Sequence, residues 1–159
     1  MIFRPSSAIL LSVPHIQQHG SGECLAACAA MCLGYLASPV RYDQLLKALR
    51  VRPRLGAPFS NISNLISLGI TVNYRKYGTL TELYTFLQGG WPCVVSVQTQ
   101  ELPYWNKVKV YHAVVVAGMD HDNIHLNDPA LPVGPIPVPI GDFDLAWLAQ
   151  DETYAILAP

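Results

Sequence analysis

The chain has 159 residues, of which 51% are hydrophobic and 13% are charged, and its formal net charge at pH 7 is −1. This length predicts a single domain, residues 1–159, that buries close to ~70% of its unfolded surface. The near-neutral charge excludes the basic surface that a nucleic acid or an anionic membrane requires, so a peptide or protein substrate is the expected partner. The sequence leaves open whether the protein also binds a partner protein.

The N-terminal segment predicts a strand and not an export signal. Residues 8–13 form a short apolar run that ends at Pro14, with only Arg4 before it and no small-residue cleavage site after it. The sequence has no run of 18 apolar residues and no G-x4-G-K-S/T phosphate loop, so neither stable membrane insertion nor a nucleotide site is expected. Four cysteines without a signal sequence predict reduced thiols and a cytoplasmic location.

A helix that begins at Cys24 supplies the first candidate for catalysis. Turn-forming residues 20–23 lead into residues 24–36, which are rich in Ala, Leu and Met, the strongest helix formers. Cys24 then lies on the first turn, where unpaired N–H groups and the helix dipole stabilise a thiolate, the reactive form of cysteine. The same N–H groups can face an oxyanion, and the Gln18 amide is placed to curl back as a second donor, with Gln17 as the alternative.

The other three cysteines are expected to be buried and unreactive. Cys28 and Cys32 follow Cys24 at four-residue intervals on nearly the same helix face, and Cys93 lies in a predicted strand. The C-x3-C-x3-C pattern is also known from metal and iron–sulfur sites, but such helix-borne sites usually take further ligands from another element. We therefore predict neither a metal site nor a cofactor.

The rest of the chain predicts an α+β architecture, with helices in front and strands behind. Periodicity and end signals predict three more helices, the first over residues 42–49. The second is capped by Ser60 and ended by Gly69, and its inward side chains are Ile62, Leu65 and Ile66. The third covers residues 80–87 and follows the capping box Thr79-x-x-Glu82. Strands are predicted near residues 70–74, 93–97, 110–117, 124–127 and 153–157. Residues 98–109 and 130–139 are interpreted as loops that border the active site, and Tyr104 and Trp105 in the first are candidates for substrate contact.

A hairpin in the second half supplies a base and a carboxylate. His112 lies near the start of the strand 110–117, a turn centred on residues 120–122 follows, and Asp128 ends the returning strand before Pro129. This pairing brings Asp128 within a residue or two of the position opposite His112, where a carboxylate can hold one imidazole nitrogen while the other faces the thiol. His125, on the returning strand, is the main alternative to His112 as the base.

Four motifs in this order resemble the bacteriocin-processing (double-glycine leader) cysteine peptidases of the papain-like fold. They are Gln18-x5-Cys24, Glu23-Cys24-x-x-Ala27-Cys28-x-x-Met31, Tyr111-His112-Ala113-Val114-Val115-Val116-x-Gly118 and Asn127-Asp128-Pro129-Ala130. The resemblance implies a papain-like α+β fold in which the nucleophile helix packs on an antiparallel sheet. It assigns Cys24 as the nucleophile, His112 and Asp128 as the rest of the triad, and Gln18 to the oxyanion hole.

The resemblance also implies the activity of a thiol protease, with hydrolysis through a thioester and cleavage after small residues such as Gly-Gly. The family's usual Asp-Cys-Gly is Glu23-Cys24-Leu25 here, so a bulky side chain next to the nucleophile is expected to reshape the cleft. Residue types alone leave two alternatives open: an acyltransferase or deamidase with the same catalytic set, and a non-catalytic domain that binds leader peptides.

Overall fold

The computed structural model describes residues 3–159, which fold around a seven-stranded antiparallel sheet. The strands are β1 (Ile9–Leu10), β2 (Thr71–Arg75), β3 (Cys93–Gln98), β4 (Tyr111–Met119), β5 (Asn123–Asn127), β6 (Ile136–Pro139) and β7 (Tyr154–Ala158). Their order across the sheet is β2-β7-β3-β4-β5-β6, and β1 pairs with the far end of β4. The predicted strands near residues 8–13, 70–74, 93–97, 110–117, 124–127 and 153–157 are all confirmed.

Helices cover both faces of this sheet. They are α1 (Cys24–Tyr35), α2 (Tyr42–Ala48), α3 (Leu80–Gln88) and α4 (Ile140–Leu148), with a 3₁₀ helix at Phe59–Leu68. Alternate residues of β4 point to opposite faces, so Val115 packs with α1, α2 and the 3₁₀ helix, while Val114 packs with α3 and α4. α1 is the most deeply buried helix, with eight of its 12 residues inaccessible. Within residues 3–159, no helix has both the length and the hydropathy that crossing a membrane requires.

The third predicted helix forms, but as a 3₁₀ helix with a different inward face. It begins after Pro58, so the prediction that Ser60 caps it is wrong, and Ile66 is 61% exposed and not buried. The physical reason is the period of three residues per turn, which aligns the apolar side chains at i and i+3. Four apolar side chains at this spacing contact the core: Phe59, Ile62, Leu65 and Leu68. Gly69 ends the helix with a φ of +80°, as predicted.

Residues 130–139 are only partly the loop that the sequence predicted. Residues 136–139 form β6, and α4 follows at once; neither was predicted. The many prolines in this segment indicated a loop, but β6 is an edge strand, where a residue without an N–H group is tolerated. Ile140, Phe143 and Trp147 then bury the apolar face of α4 against the sheet.

Candidate active site

Cys24 is the first residue of α1 and lies where that helix meets the start of β4. The chain enters α1 through Gly22, whose φ of +82° favours glycine, and through Glu23, whose carboxylate accepts a hydrogen bond of 2.9 Å from the Tyr42 hydroxyl of α2. The Cys24 thiol lies in the same cleft wall as the His112 ring and Ala113, and both lower its pKa. The predicted helix start therefore places the sulfur directly beside the predicted base.

The hairpin of β4 and β5 brings His112 and Asp128 together. Asn127 pairs with Val115, so Asp128 follows β5 two positions from the place opposite His112. The Nε2 atom of His112 lies 2.6 Å from Oδ1 of Asp128, and both side chains are buried. Since Nε2 is held by the carboxylate, Nδ1 is the ring nitrogen that remains for the Cys24 thiol.

Asp128 has further hydrogen-bond donors that the sequence did not reveal. Its Oδ1 atom also accepts from the Ala130 backbone N–H at 2.9 Å, while Oδ2 accepts from the Tyr104 hydroxyl at 2.6 Å and from Nε1 of Trp105 at 3.0 Å. Tyr104 and Trp105 were candidates for substrate contact, but their polar atoms bind the carboxylate. The only signal in the sequence was their position in the loop that leads to His112.

The electrostatics of the Cys24–His112 pair favour a thiolate beside an imidazolium. Burial acts to raise the pKa of Cys24, but the hydrogen bond and charge of His112, with the backbone at Ala113 and Leu25, leave that pKa below its usual value. Burial acts to lower the pKa of His112, yet Asp128 and Cys24 raise it to about 9. Burial likewise acts against the Asp128 anion, but the His112 hydrogen bond and charge, with Tyr104, hold the pKa of that carboxyl below normal.

Gln18 lies close to the residues that follow Asp128. It is partly buried, whereas Gln17 is exposed. The Gln18 backbone N–H donates to the Pro129 carbonyl at 2.8 Å, which ties this segment to the residue after Asp128. Its side-chain Nε2 donates to the Gly20 carbonyl at 3.1 Å, and its Oε1 is buried without a partner among the described residues. An amide nitrogen carries two hydrogens, so one donor of Gln18 remains free.

The alternative residues are placed elsewhere. His125 lies opposite Gly118 in the hairpin and binds Asp120 at 2.7 Å through Nε2, which ties it to the turn. Cys28, Cys32 and Cys93 are fully buried, and burial raises the pKa of each thiol, that of Cys32 to about 12. Across residues 3–159, no cluster of three or more His, Cys, Asp or Glu side chains is arranged to hold a metal ion.

The Cys24 thiol opens into a cleft of about 560 Å³. Leu25, which is only 2% exposed, forms part of its wall beside Cys24 and His112. Arg52 and Leu55, from the turn between Arg52 and Gly56, lie on another side, and the exposed Tyr111 lies at the start of β4. This volume is within the range of ligand pockets, ~300–1,000 Å³.

Comparison with known proteins identifies one family and several solved structures with the same fold. The sequence model of the family described as "Peptidase_C39 like family" matches residues 10–154. No curated protein is significantly similar to the chain.

Solved structures of about this length share the fold. A proposed C39-like peptidase from Bacillus anthracis is 20% identical, with a TM-score of 0.76 over 98% of each chain. A double glycine motif protease from an AMS/PCAT transporter, in complex with the leader peptide, is 24% identical, with a TM-score of 0.71 over 98% of this chain and 99% of the other. The peptidase domain of Streptococcus ComA, a bifunctional ABC transporter, is 18% identical, with a TM-score of 0.70 over 91% and 97%. The predicted papain-like α+β fold is confirmed.

Proposed function

The chain belongs to the Peptidase_C39 like family, and from that premise we propose that it is a cysteine peptidase that hydrolyses peptide bonds through a thioester acyl-enzyme. The observation that carries the proposal is the order of contacts in the cleft. The Cys24 thiol lies beside His112 in the cleft and that ring lowers its pKa, while Nε2 of His112 lies 2.6 Å from the buried Asp128 carboxylate. This is the set of groups that activates a thiol for acyl transfer.

In the first half of the proposed reaction, the Cys24 thiolate attacks the scissile carbonyl carbon and forms a tetrahedral oxyanion. The Cys24 backbone N–H and the free hydrogen of the Gln18 amide stabilise that oxyanion. His112 then donates its Nδ1 proton to the leaving amine, the C–N bond breaks, and a thioester remains. Asp128 holds Nε2 of His112 throughout, which fixes the ring orientation and stabilises the imidazolium.

In the second half, water attacks the thioester while His112 accepts a proton from that water. The C–S bond breaks, the carboxylic acid product leaves, and the thiolate–imidazolium pair is restored. The scheme uses the side chains of four residues of this protein, Cys24, His112, Asp128 and Gln18. No step requires a metal or a cofactor. Acyl transfer to an amine would use the same thioester, so the products must be identified chemically.

We propose a peptide with small residues before the scissile bond, such as Gly-Gly, as the substrate. Two things support this: the similarity to a protease of the double glycine motif, which was solved with its leader peptide, and the buried Leu25 beside Cys24 in the cleft wall. A leucine in place of the family's glycine leaves less room next to the nucleophile, which favours residues without bulk.

The test is product analysis with a synthetic peptide that contains a central Gly-Gly sequence. The parent protein should release two fragments by addition of water, seen by mass spectrometry, and Cys24→Ala should release none. Added hydroxylamine should convert part of the acyl product to a hydroxamate, which traps the thioester. Gln17→Ala, at an exposed position, is the matched control.

A glycine-terminated electrophilic probe separates a catalytic domain from one that only binds peptides. Labelling of Cys24 requires a competent thiolate, whereas binding does not. A protein that binds the peptide but is neither labelled nor active would contradict the proposal, and exclusive transfer to an amine would replace hydrolysis by acyl transfer. The cytoplasmic location stays a prediction.

A further inference from the structure

Asp128 is a buried carboxylate with a complete set of hydrogen-bond donors. None of its surface is exposed, and each carboxylate oxygen accepts two hydrogen bonds. A buried charge is costly unless it is paired and its lone pairs are satisfied. Two of the four donors come from adjacent side chains, Tyr104 and Trp105, and both bind Oδ2, the oxygen that does not contact His112.

The short 3₁₀ turn Pro103–Trp105 that carries these two residues is itself fixed in place. Leu102, directly before it, is fully buried, and the Trp105 N–H donates to the Leu102 carbonyl at 3.0 Å. At the other end of the loop, the Thr99 hydroxyl accepts from the Val110 N–H at 2.9 Å. Thr99 is fully buried, so this bond anchors the loop two residues before His112 and fixes the turn relative to the imidazole.

Trp105 also contacts the imidazole directly. Its ring meets the His112 ring at an angle of 65°, with 5.1 Å between the ring centroids. One side chain therefore donates to Asp128 and covers the ring that Asp128 orients. A half-buried indole in this position keeps water from the His112–Asp128 hydrogen bond.

We infer, on the basis of the proposed function, that Tyr104 and Trp105 are positioning residues that keep Asp128 ionised and aimed at His112, and that they do not serve as contacts for the substrate. Donors on Oδ2 stabilise the anion in its dry environment and stop the carboxylate from rotating away from Nε2. The titratable groups that face Asp128 are His112 from β4, Tyr104 from the turn and, from α1, the buried Cys28.

The charge states of these neighbours fit that role. Burial and the adjacent Asp128 charge raise the pKa of Tyr104, so its hydroxyl remains a donor at neutral pH. Burial raises the pKa of Cys28, which stays a neutral thiol. Of these three groups, His112 is then the one that is positively charged at neutral pH, because its pKa is raised to about 9. Loss of the Tyr104 donor raises the pKa of the Asp128 carboxyl, so Asp128 becomes protonated, and His112 loses its partner, at a higher pH than in the parent.

The experiment compares Tyr104→Phe and Trp105→Phe with the parent and with Tyr77→Phe, a tyrosine on the exposed surface. The first readout is the rate of Cys24 alkylation by iodoacetamide as a function of pH. In both test variants we expect the acid limb of this profile to move to higher pH and kcat to fall by about tenfold, with KM little changed, the size expected for one lost hydrogen bond to a charged group.

A rise in KM with an unchanged alkylation profile would show that the pair contacts the substrate and would overturn the inference. Test variants whose alkylation profiles and kcat values match those of the parent would also overturn the inference. Circular dichroism and thermal unfolding check the fold, and Tyr104→Phe, which removes one oxygen atom, decides the matter if Trp105→Phe does not fold. Because alkylation needs no substrate, it reports on Asp128 even if the parent cleaves no peptide, which keeps failure of the proposed function distinct.

Discussion

Two thiols one helical turn apart, those of Cys24 and Cys28, have opposite electrostatic surroundings. Burial acts to raise the pKa of Cys24, but interactions with the His112 ring and with backbone groups leave that pKa below its usual value. Cys28 is fully buried and its neighbours, Cys24, Cys32 and Asp128, add only repulsion to an anion there, so its pKa is raised well above normal. We therefore expect position along α1, and not residue type, to decide which of the two thiols is reactive.

Alkylation by iodoacetamide tests this contrast and its dependence on pH. At pH 6 we expect modification of Cys24 well before the buried Cys28, Cys32 and Cys93, as read by peptide mapping. The rate should fall as pH falls through the lowered pKa of Cys24, because the thiolate becomes protonated. Peptide cleavage should also have an alkaline limit. Its rate should fall as pH rises through about 9, where His112 loses the proton that the leaving amine needs. Equal labelling of all four in the folded protein would contradict the assignment.

Substitutions of His112, Asp128 and His125 distinguish the roles of these three residues. His112→Ala should remove activity and raise the pKa of Cys24, because the partner of the thiolate is lost. Asp128→Asn should retain the fold and lose less activity, because an amide still contacts Nε2 but cannot stabilise the imidazolium. His125→Ala, in the hairpin, is the control and should keep near-parent turnover. An inactive His125→Ala with an active His112→Ala would mean that the wrong strand residue was chosen.

Gln18→Ala tests the proposed oxyanion donor. Cys24 alkylation and the fold should remain nearly intact, because neither depends on that amide. Turnover should fall by about 10²–10³ in kcat, or roughly 3–4 kcal/mol in the transition state, with KM little changed. Gln17→Ala, at the exposed neighbouring position, should behave as the parent. Parent-like turnover by Gln18→Ala would leave the oxyanion to backbone amides.

At the scale of elements, the 3₁₀ helix Phe59–Leu68 supports α1 and α2 with one apolar face. Its three-residue period gives two isoleucines different environments: Ile62 is fully buried, whereas Ile66 is 61% exposed. Ile62→Ala should lower the free energy of unfolding by about 2–5 kcal/mol, because it leaves a cavity in the core. Ile66→Ala should change it by no more than about 0.5 kcal/mol. Denaturant titration measures both, and similar losses would contradict the 3₁₀ period.

Elements with a strong local signal were predictable from the sequence. α1 has strong helix formers, and the β4–β5 hairpin has β-branched strands around a polar turn, so Cys24, His112 and Asp128 came together as expected. β6 and α4 were missed because prolines mask an edge strand and no side chain caps the helix. The hydrogen bonds of Tyr104 and Trp105 to Asp128 depend on the approach of two distant segments, which no local pattern encodes.

At the scale of the whole molecule, the cleft forms where distant parts of the chain meet. The turn before Cys24, the turn between Arg52 and Gly56, and the start of β4 all line it. Two of these segments approach each other backbone to backbone: a Cβ atom at Gly22 would lie 2.7 Å from the Gly56 nitrogen. We therefore expect the shape of the cleft to depend on two glycines 34 positions apart in the printed sequence, neither of which carries a reactive group.

Gly22→Ala tests this long-range contact, and Gly90→Ala is its matched control. Both glycines have a positive φ, +82° and +84°, so both variants lose about 1–2 kcal/mol of stability to backbone strain. Only at Gly22 does the new methyl group meet another backbone, since nothing lies within 4 Å at Gly90. Gly22→Ala should therefore displace the turn at Gly56 from the turn before Cys24 and reduce kcat/KM for the Gly-Gly peptide, while Gly90→Ala keeps parent kinetics. Equal kcat/KM in the two variants, measured well below their Tm, would mean that this contact does not shape the cleft.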